Sequence, residues 1–435
     1  MTATRACAAS WGRYPRVVQH ARPLTDRDAP LPASDTSWLP YGNGRSYGDS
    51  CLNDGGGVLL ARGLDRFIGF DPQSGVLACE AGVLLADILA LAVPQGWFLP
   101  VTPGTRYVTV GGALANDVHG KNHHRAGSFG RHLRGFELLR SDGSRRWCSA
   151  HEHADWYGAS IGGLGLTGLV TRVELQLRRI ANPWIAGETI RFGSLAEFDA
   201  LSAESDDDYE YTVAWIDCAA AAGRGLFMRG NHAPALPRTR PAAKPGRLRV
   251  PFVPPVSLIN GPTLHAFNAL YYHRPVGGRG CTQITHYEPF FYPLDGIGDW
   301  NRIYGPHGFL QWQCALPPAA GLDALHAILA QIAASGSGSF LAVLKRFGEL
   351  ASPGWLSFPR PGYTLALDFP NRGAATFALL DRLDAVVREA AGAIYPAKDA
   401  RMSGALFRAA YPRWQRFADY LDPQFSSSFW RRVMA

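Results

Sequence analysis

The chain lacks the features that mark membrane-spanning and secreted proteins. Its 435 residues contain no apolar run of about 18, the length that a membrane-spanning helix requires. The first residues, "MTATRACAAS", have no apolar stretch of the kind found in signal peptides. We therefore expect a cytoplasmic or membrane-peripheral protein without a transmembrane helix.

The chain also lacks a CxxC pair, and its cysteines are odd in number and scattered. The seven cysteines are Cys7, Cys51, Cys79, Cys148, Cys218, Cys281 and Cys314. This distribution argues against a zinc ribbon and against a disulfide framework. We expect reduced, mostly structural thiols.

Acidic residues are missing from one long stretch, Cys218 to Tyr287. Its nine basic residues are Arg224, Arg229, Arg238, Arg240, Lys244, Arg247, Arg249, Arg274 and Arg279. They exceed the net charge of the whole chain, +7, so the remainder is close to neutral. Such a basic surface indicates an anionic partner, such as acidic lipid or a phosphorylated substrate, although an ordinary solvated loop remains the alternative. No recognised nucleic-acid-binding motif accompanies it, so nucleic acid is not the expected partner.

Apolar periodicity predicts an α+β fold. Up to about residue 180, short apolar runs separated by glycines predict strands, with one amphipathic helix in "LLADILALAV" and a hairpin around Asp142-Gly143. In "LVTRVELQLRR" we expect Val170, Val173, Leu175 and Leu177 to form the buried face of a strand. Beyond "ANPW", which resembles a domain joint, helical and strand-like segments alternate and predict an antiparallel sheet backed by helices.

Three glycine-rich segments carry the chemistry. In "PYGNGRSYGDS", residues 40–50, the glycines allow a turn whose N–H groups form an anion-binding nest; a plain glycine-rich turn is the alternative. In the segment of residues 100–124, Gly111-Gly112 opens a helix whose N-terminus would favour a phosphate. The backbone of "IGGLGLTGLV", residues 161–170, is suited to lie against a flat ring. Two phosphate-binding loops in one region suggest a dinucleotide.

The stretch "DVHGKNHH" also invites a metal-site interpretation. His119 and His123 are four residues apart, a spacing that suits two ligands on one helical face. Gly120 disfavours a continuous helix there, and no nearby Glu or Cys completes a ligand set. We therefore expect no metal site, and we expect His123 and His124 to shape the loop.

Four segments of the chain resemble, in their order, the vanillyl-alcohol-oxidase-type FAD oxidoreductases with a PCMH-type FAD-binding domain. They are "GNGRSYGD", "PGTRYVTVGGALANDVHGKNHHRAGSFG", "GLGLTGLV" and "IYPAKDAR". The resemblance extends through "YPLDGIGDWNRIYGPHGFLQWQ" and "LKRFGELASPGWLSFPRPGY", so it covers nearly the whole chain. It implies a two-domain fold: an FAD-binding domain over residues 1–182, a substrate domain over residues 183–392, and a tail over residues 393–435 that returns to the FAD domain. Residues 231–262 and 273–282 are rich in Pro and Gly and are expected to form mobile lids.

The resemblance implies bound FAD and assigns its contacts residue by residue. The expected FAD-binding residues are Tyr41, Gly42, Asn43, Gly44, Arg45, Ser46, Tyr47, Gly48, Asp49, Ser50, Pro103, Gly104, Thr109, Val110, Gly111, Gly112, Asn116, Asp117, Val118, His119, Gly165, Val170 and Tyr395. Many relatives attach the flavin to a histidine where this chain has Tyr47, and some add a cysteine where it has Thr105 or Arg106. Neither nucleophile is present, so non-covalent FAD is expected.

The activity implied is oxidation of a secondary alcohol, in the nearest branch of the family the 2-hydroxyl of a polyprenylphosphoryl ribose. Lys398 is the first candidate for the base or, if it stays charged, for stabilising the reduced flavin; His119 is the rival base, and Tyr47 packs beside the ring. The expected substrate-binding residues are Lys121, Gln311, Gln313, Lys345, Phe347, Thr364, Ala366 and Lys398. Ala366 replaces a cysteine and Thr364 an asparagine of mycobacterial members, so the pocket differs in part.

The implied partners are a lipid-linked sugar phosphate, a short-chain reductase that completes an epimerisation, and a membrane surface contacted peripherally. Two other functions stay open from the sequence. One is oxidation of a soluble sugar, sugar alcohol or aldonolactone by the same cofactor. The other is a non-catalytic basic protein that binds membranes or nucleic acid.

Overall fold

The computed structural model describes residues 8–234 and 248–435. The strands in these ranges are β1 (His20–Pro23), β2 (Trp38–Tyr41), β3 (Gly57–Leu60), β4 (Phe67–Phe70), β5 (Val76–Glu80), β6 (Trp97–Phe98), β7 (Leu133–Leu139), β8 (Arg145–Cys148), β9 (Leu169–Gln176), β10 (Arg178–Arg179), β11 (Trp184–Phe192), β12 (Tyr211–Ile216), β13 (Gly225–His232), β14 (Leu248–Arg249), β15 (Gln283–His286), β16 (Ile297–Gly298), β17 (Phe309–Leu316), β18 (Val343–Phe347), β19 (Gly362–Pro370) and β20 (Ala393–Ile394).

The α-helices in the same ranges are α1 (Leu85–Ala92), α2 (Val110–Ala115), α3 (His123–Ala126), α4 (Ala154–Ser160), α5 (Leu195–Ser205), α6 (Gly261–His273), α7 (Tyr287–Phe291), α8 (Pro318–Ser335), α9 (Ala374–Glu389), α10 (Gly404–Ala410), α11 (Trp414–Ala418) and α12 (Ser428–Met434). Short 3-10 turns, such as Pro396–Lys398, connect several of them. No helix within the described residues has the length and apolar character needed to cross a bilayer.

The N-terminal part contains two sheets. A parallel sheet has the order β1-β3-β2, and an antiparallel sheet has the order β4-β5-β9-β7-β8. The expected helix α1 and the hairpin of β7 and β8 are both confirmed. Side chains of the five-stranded sheet, α1 and α2 share one buried cluster, which positions the glycine-rich loops at its edge.

The expected face of β9 was wrong in one residue. Its buried side chains are Leu169, Thr171, Val173 and Leu175, whereas Val170 has the opposite parity. The pairing of β7 with β9 shifts register between Glu137 and Leu138, at the level of this strand's start. Because side chains alternate along a strand, Val170 faces the cavity described below and not the core.

The middle of the chain forms an eight-stranded antiparallel sheet in the order β15-β11-β13-β12-β18-β19-β17-β20. Helices α5, α8 and α9 cover one side of it, and their apolar side chains join a second buried cluster. This confirms an antiparallel sheet backed by helices. The sheet's other side is left to form the wall of a cavity.

The first expected lid, residues 231–262, is only partly described, whereas the second, residues 273–282, is described throughout and connects the end of α6 to β15 without a strand or further helix. Residues 231 and 232 end β13, residues 248 and 249 form β14, and α6 begins at Gly261. Residues 235–247 lie outside the described residues. The tail begins in the eight-stranded sheet, because β20 pairs with β17, and then returns to the N-terminal part, where the backbone N–H of Trp38 donates to Gln424.

Candidate active site

One cavity of about 990 Å³ lies where the glycine-rich loops meet the uncovered side of the eight-stranded sheet. This volume is at the upper end of the range for ligand pockets, about 300–1,000 Å³. Its wall combines all three glycine-rich segments with side chains of β11, β12, β17, β18 and β19. At its outer end, Trp215 and Tyr271 pack with ring centroids 4.7 Å apart beside Met228 and Leu341, which makes that end largely apolar.

The loop of residues 42–46 is built to hold an anion. Its five backbone N–H groups donate to no residue that the structure describes. Gly44 has a left-handed φ of 59°, and a side chain on Gly42 would meet Thr109 Oγ1 at 2.5 Å, so the loop needs glycine at both positions. The adjacent Arg45 guanidinium lies 4.0 Å from the Trp11 ring centroid and lines the same cavity. A nest of free N–H groups beside a guanidinium matches the expected pyrophosphate contact.

The N-terminus of α2 does not offer the donors that the sequence suggested. Val110 N–H donates to Val83, Gly111 N–H donates to Ala81, and Gly112 N–H donates to the capping Thr109 Oγ1. With these N–H groups occupied, the role of Gly111 and Gly112 is to let neighbouring residues pack closely against the helix. A Cβ on Gly111 would meet Ala81 Cβ at 2.9 Å. The prediction of a phosphate bound by this helix end was therefore wrong, although both glycines line the cavity.

The third loop lies beside the start of the first. Gly165 has a φ of 75°, and both Gly165 and Val170 line the cavity. A Cβ on Gly165 would lie 3.4 Å from the Pro40 ring, so the wall here is close-packed and smooth. This arrangement suits the face or edge of a planar ring, as the sequence suggested.

Lysine is rare in this chain, and three of its four lysines line the cavity: Lys121, Lys345 and Lys398. Lys121 Nζ donates to the Phe290 carbonyl, and Lys345 Nζ donates to the Gly120 carbonyl at 3.2 Å. Burial lowers the pKa of Lys345 to about 8, and burial together with the charge of Lys345 lowers the pKa of Lys121 to about 7. Carbonyl partners leave these ammonium groups without a neutralising charge, so the cavity attracts an anionic ligand.

Lys398 sits at the end of the 3-10 turn of the tail, with Nζ 3.9 Å from the Tyr47 ring centroid. Lys398 forms no salt bridge with its neighbour Asp399, which instead pairs with Arg432 at 2.8 Å. Burial lowers the pKa of Lys398, and the charge of Asp368 opposes that shift. Burial also raises the pKa of Tyr47, so its phenol stays protonated and can donate a hydrogen bond.

Asp368 is the cavity residue that the sequence reasoning missed. It lies on β19, is 1% exposed and lines the cavity; its carboxylate accepts from Gln311 Nε2 at 2.6 Å and from Tyr304 Oη at 3.4 Å. Burial raises the pKa of this carboxyl, and Lys398 opposes the shift. The signal was present, because Thr364, Ala366 and Asp368 alternate along one face of a strand in which two of the three were already expected in the pocket.

His119 lies in an aromatic box rather than in an acidic or open environment. Its ring centroid is 4.9 Å from Phe347, 5.7 Å from Phe358 and 5.4 Å from Tyr395. Gln313 Nε2 donates to His119 Nε2 at 3.0 Å, so that ring nitrogen is the acceptor. Burial lowers the pKa of His119 well below its usual value, so the imidazole is neutral and a weak proton acceptor. This favours Lys398 over His119 as the base.

Most expected site residues line this one cavity. From the FAD set these are Gly42, Asn43, Gly44, Arg45, Ser46, Tyr47, Ser50, Pro103, Gly104, Thr109, Gly111, Gly112, Asn116, Val118, His119, Gly165, Val170 and Tyr395. From the substrate set these are Lys121, Gln311, Gln313, Lys345, Thr364, Ala366 and Lys398. The expected loops and strands therefore meet at one cavity, and their contacts with FAD and substrate stay a prediction.

Three expected residues of the FAD set lie behind the cavity wall and support it. Tyr41 Oη donates to the Ala9 carbonyl, and Val110 is fully buried in the core. The Asp117 carboxylate accepts from Gly130 N–H at 2.7 Å and from the hydroxyls of Ser352 and Ser357, so it holds the loop from behind instead of facing the cofactor.

Three others support the wall in the same way. Gly48 packs against the tail, where a Cβ would meet the Asp399 carbonyl at 1.7 Å. Asp49 forms an ion pair with Arg432 at 2.7 Å. Phe347, expected to contact substrate, packs between His119 and His123, with 4.4 Å between its ring centroid and that of His123. The spacing of a motif along the chain does not tell which of its side chains point inward.

The acid-free stretch is not an unpaired basic surface where it is described. Arg224 pairs with Asp217, Arg229 with Glu188 and Glu204, Arg279 with Glu204, and Arg249 with Asp299. Arg274 lies 4.1 Å from the Tyr271 ring centroid. Arg238, Arg240, Lys244 and Arg247 lie outside the described residues. Asp217 directly precedes the stretch, and the other acids that neutralise it, Glu188, Glu204 and Asp299, also lie outside it, so a charge count within the stretch does not register them.

The cavity wall has polar atoms that fit FAD. Among the described residues, Arg45 Nε, Ser50 Oγ, Asn116 Oδ1, His119 Nδ1 and Gln311 Oε1 are buried at the cavity and have no protein partner. Leaving buried polar atoms unpaired costs roughly 1–3 kcal/mol each, so this pattern calls for a polar ligand. The atoms extend from the anion nest to the lysine cluster, as expected for a long dinucleotide with substrate beyond it.

Comparison with known proteins agrees with this geometry. A family model described as an FAD binding domain matches residues 31–149. Decaprenylphosphoryl-β-D-ribose oxidase of Mycolicibacterium smegmatis is 37% identical over 412 residues, which cover 91% of this chain and 88% of that protein. An uncharacterized protein of Streptomyces coelicolor is 36% identical over 372 residues, 81% of this chain and 100% of that protein.

A shorter match links the chain to a wider group: D-lactate dehydrogenase of Anaerostipes hadrus is 28% identical over 129 residues, 28% of this chain and 27% of that protein. The long match confirms the resemblance drawn from the motifs, and FAD is the cofactor that the loops hold. The chain belongs to the decaprenylphosphoryl-β-D-ribose oxidase family of FAD-dependent oxidoreductases.

Proposed function

We propose that this enzyme oxidises the 2-hydroxyl of a polyprenylphosphoryl-β-D-ribose to the 2-keto sugar, the first half of a ribose-to-arabinose epimerisation. The observation that carries the proposal is the group of three half-buried lysines, Lys121, Lys345 and Lys398, in the wall of the cavity that the FAD loops also line. A sugar phosphate supplies the negative charge that these ammonium groups lack, and the apolar end beside Trp215 and Tyr271 offers room for the start of a prenyl chain. The long relative named for decaprenylphosphoryl ribose supports the same substrate class.

Each residue has a defined task in this proposal. FAD supplies the hydride acceptor when bound. Lys121 and Lys345 bind the phosphate and sugar oxygens, and Gln313, held by Thr364 Oγ1 at 3.0 Å, orients the ring. Lys398 Nζ accepts the hydroxyl proton, which requires its neutral form, and Asp368 sets how readily that form appears through its charge. Tyr47 keeps its proton and packs beside Lys398.

We also propose that the FAD is non-covalent and that the chain has the two-domain organisation of the vanillyl-alcohol-oxidase type, with divisions near residues 182 and 393. Tyr47, Thr105 and Arg106 occupy the positions at which relatives carry attachment residues, and none of these side chains is the nucleophile used there. The separate five-stranded and eight-stranded antiparallel sheets support the division near residue 182, although Ile185 and Tyr211 of the second sheet pack into the buried cluster of the first. A short-chain reductase is the expected partner, because the 2-keto product must be reduced to complete the epimerisation.

Anaerobic reduction of the bound flavin tests the substrate. Prenylphosphoryl ribose, prenylphosphoryl arabinose, ribose 5-phosphate and free ribose are each mixed with the enzyme without oxygen, and the oxidised-flavin absorbance is followed. We expect rapid bleaching with prenylphosphoryl ribose alone. Bleaching by free ribose at the same rate would show that a soluble sugar is the substrate and would overturn the proposal.

Peripheral contact with a bilayer is part of the same proposal. Among the described residues, the large exposed apolar side chains between residues 248 and 297 are Leu248, Phe252, Val256, Leu258, Leu270 and Ile297. This segment also supplies Arg249, Tyr271 and Ile297 to the cavity wall. Exposed apolar groups beside the mouth of a cavity that takes a lipid-linked substrate suit a membrane surface.

Co-sedimentation with phosphatidylglycerol–phosphatidylcholine vesicles tests that contact. Phe252→Asp and Leu270→Asp should reduce the bound fraction several-fold, because a charge in the interface opposes insertion. Ile68→Asp, on the edge strand β4, is the matched control and should bind as the parent does. Equal binding by all three variants would contradict the assignment of this surface.

A further inference from the structure

Arg432, in the last helix α12 and three residues before Ala435, joins two carboxylates that belong to different parts of the site. Its Nε and Nη2 donate to the two oxygens of Asp49 at 2.8 and 2.7 Å, and Nη2 also donates to Asp399 Oδ2 at 2.8 Å. Asp49 ends the anion-binding loop, and Asp399 directly follows Lys398. One guanidinium therefore connects the loop that holds the cofactor with the turn that carries the proposed base.

Both carboxylates are buried, with Asp49 3% and Asp399 5% exposed. Two buried like charges that share one cation repel each other once the cation is removed, and breaking such a pair is strongly unfavourable. Asp399 cannot simply turn away, because its Oδ1 also accepts from the N–H groups of Arg401 and Met402. Losing the guanidinium must therefore move the Lys398 turn, the Asp49 loop or both.

The two parts are also in direct contact on the cavity side of this bridge. Tyr47 N–H donates to the Ala397 carbonyl at 2.9 Å, and Gly48 leaves no space for a Cβ beside the Asp399 carbonyl. The position of Lys398 Nζ over the Tyr47 ring depends on this junction. A shift of the turn by a fraction of an ångström changes both the anion nest and the geometry of the lysine.

We propose that Arg432 is a positioning residue that couples FAD binding to the placement of Lys398. The proposal rests on the role given above to Lys398, but its first consequence does not. Loosening the Asp49 loop weakens FAD binding whatever the substrate is. Displacing the Lys398 turn changes proton transfer without removing any group that touches substrate.

The neighbouring Arg431 provides a matched control. It lies on the same helix and also fastens it to the N-terminal part, donating to Asn53 Oδ1, Ser426 Oγ and the Asp54 carbonyl. None of these partners is a carboxylate of the bridge. Arg431→Met and Arg432→Met therefore remove comparable anchoring of α12, but only the second removes the bridge.

The test combines FAD titration with a pH profile. FAD is titrated into deflavinated protein by fluorescence, and the anaerobic flavin-reduction rate with prenylphosphoryl ribose is measured across pH. Arg432→Met is expected to weaken FAD binding by at least about tenfold and to move the inflection of the pH profile. The free-energy cost of breaking a buried ion pair is larger than the free-energy difference that corresponds to a tenfold change in affinity. Arg431→Met is expected to change neither. Arg432→Lys, which keeps one charge but not the fork, should fall between them.

Two results would overturn the proposal. One is an Arg432→Met protein that binds FAD as tightly as the parent and keeps its pH profile; the other is an Arg431→Met protein with the same losses. If Arg432→Met does not fold, Arg432→Lys and Asp399→Asn carry the test, and unchanged FAD binding together with an unchanged profile in both would refute it. If no substrate reduces the flavin, the proposed function fails, while the FAD titration still decides whether Arg432 supports the loop.

Discussion

At the residue scale, the site depends on charged groups that are buried beside each other. Lys398 and Asp368 shift each other's pKa through their charges; Asp368 is 1% exposed and Lys398 is half-buried, so water screens the two charges only in part. Lowering the pKa of a lysine brings its neutral form into the pH range where the enzyme works. A carboxylate nearby limits that effect, so the pair sets the pH at which Lys398 can accept a proton.

Lys398→Met is expected to slow flavin reduction by about 10²–10⁴-fold, the usual contribution of general base catalysis. FAD binding should remain, because Lys398 Nζ is assigned to the substrate hydroxyl. Anaerobic stopped-flow reduction and a parallel FAD titration separate the two effects. A variant with the parental reduction rate would remove Lys398 from catalysis.

Asp368→Asn is expected to move the rising limb of the rate–pH profile to lower pH. The rate rises with pH because the neutral amine is the active form, and the charge of Asp368 raises the pKa of Lys398. Removing that charge lowers the pKa further, so the amine becomes neutral at a lower pH. Tyr304→Phe removes a hydrogen bond to the same carboxylate but keeps its charge, and should shift the limb less. A limb that stays in place or moves to higher pH in Asp368→Asn would contradict this coupling.

At the scale of the elements, the short helix α3 contributes a pH-dependent stability. Burial lowers the pKa of His123 to about 3, while an unfolded chain has a histidine pKa near 6.5. Between these values the unfolded state binds a proton that the folded state does not, so stability falls as pH drops from about 6.5 toward 3. The slope reaches about 1.4 kcal/mol per pH unit for this one group.

His123→Asn should therefore lose less stability than the parent between pH 7 and pH 5. Denaturant unfolding at the two pH values measures the difference, and the exposed His151 provides the control, since His151→Asn should lose as much as the parent. An unchanged pH dependence in His123→Asn would show that His123 does not contribute this instability. The absolute stability of the variant is a separate effect, because His123 also packs on Phe347.

The elements were largely predictable from the sequence, and their inward faces were not. Periodicity and turn residues predicted α1, α8, α9, the β7–β8 hairpin and the strands β17 and β19. Asp117 shows the limit, because two serines more than 230 residues away decide which way its side chain points. Val170 was misplaced for a different reason: burial alternates without a break along β9, and Val170 has the opposite parity to Val173 and Leu175. Asp368 was missed for the related reason that its partners, Gln311 and Lys398, are brought to it only by the sheet and the tail.

At the scale of the whole molecule, the tail closes the site from the far end of the chain. It adds β20 to the eight-stranded sheet, places Lys398 and Tyr395 in the cavity wall, and fastens α12 to the cofactor loop. The motif "IYPAKDAR" predicted the return of the tail, but the ion-pair network that fixes it depends on Arg432, which no local pattern singled out. Long-range electrostatic contacts of this kind are set by the three-dimensional fold.

Non-covalent flavin predicts a behaviour of the whole protein. Acid precipitation should release all of the yellow cofactor into the supernatant, because neither expected attachment position carries its nucleophile. Absorbance of the pellet and supernatant measures the division. Flavin that remains with the washed pellet would show a covalent bond. His119, which lines the cavity, would then be the first residue to replace in a search for the attachment site.

The central claim is that the hydride leaves carbon 2 of a lipid-linked ribose, and isotopic substitution at that carbon tests it most directly. Prenylphosphoryl ribose carrying deuterium at carbon 2, and the same compound with deuterium at carbon 3, are each used to reduce the bound flavin without oxygen. We predict that deuterium at carbon 2 slows reduction several-fold and that deuterium at carbon 3 leaves the rate unchanged. Slowing by deuterium at carbon 3 alone, or failure of either compound to reduce the flavin, would contradict the proposed reaction.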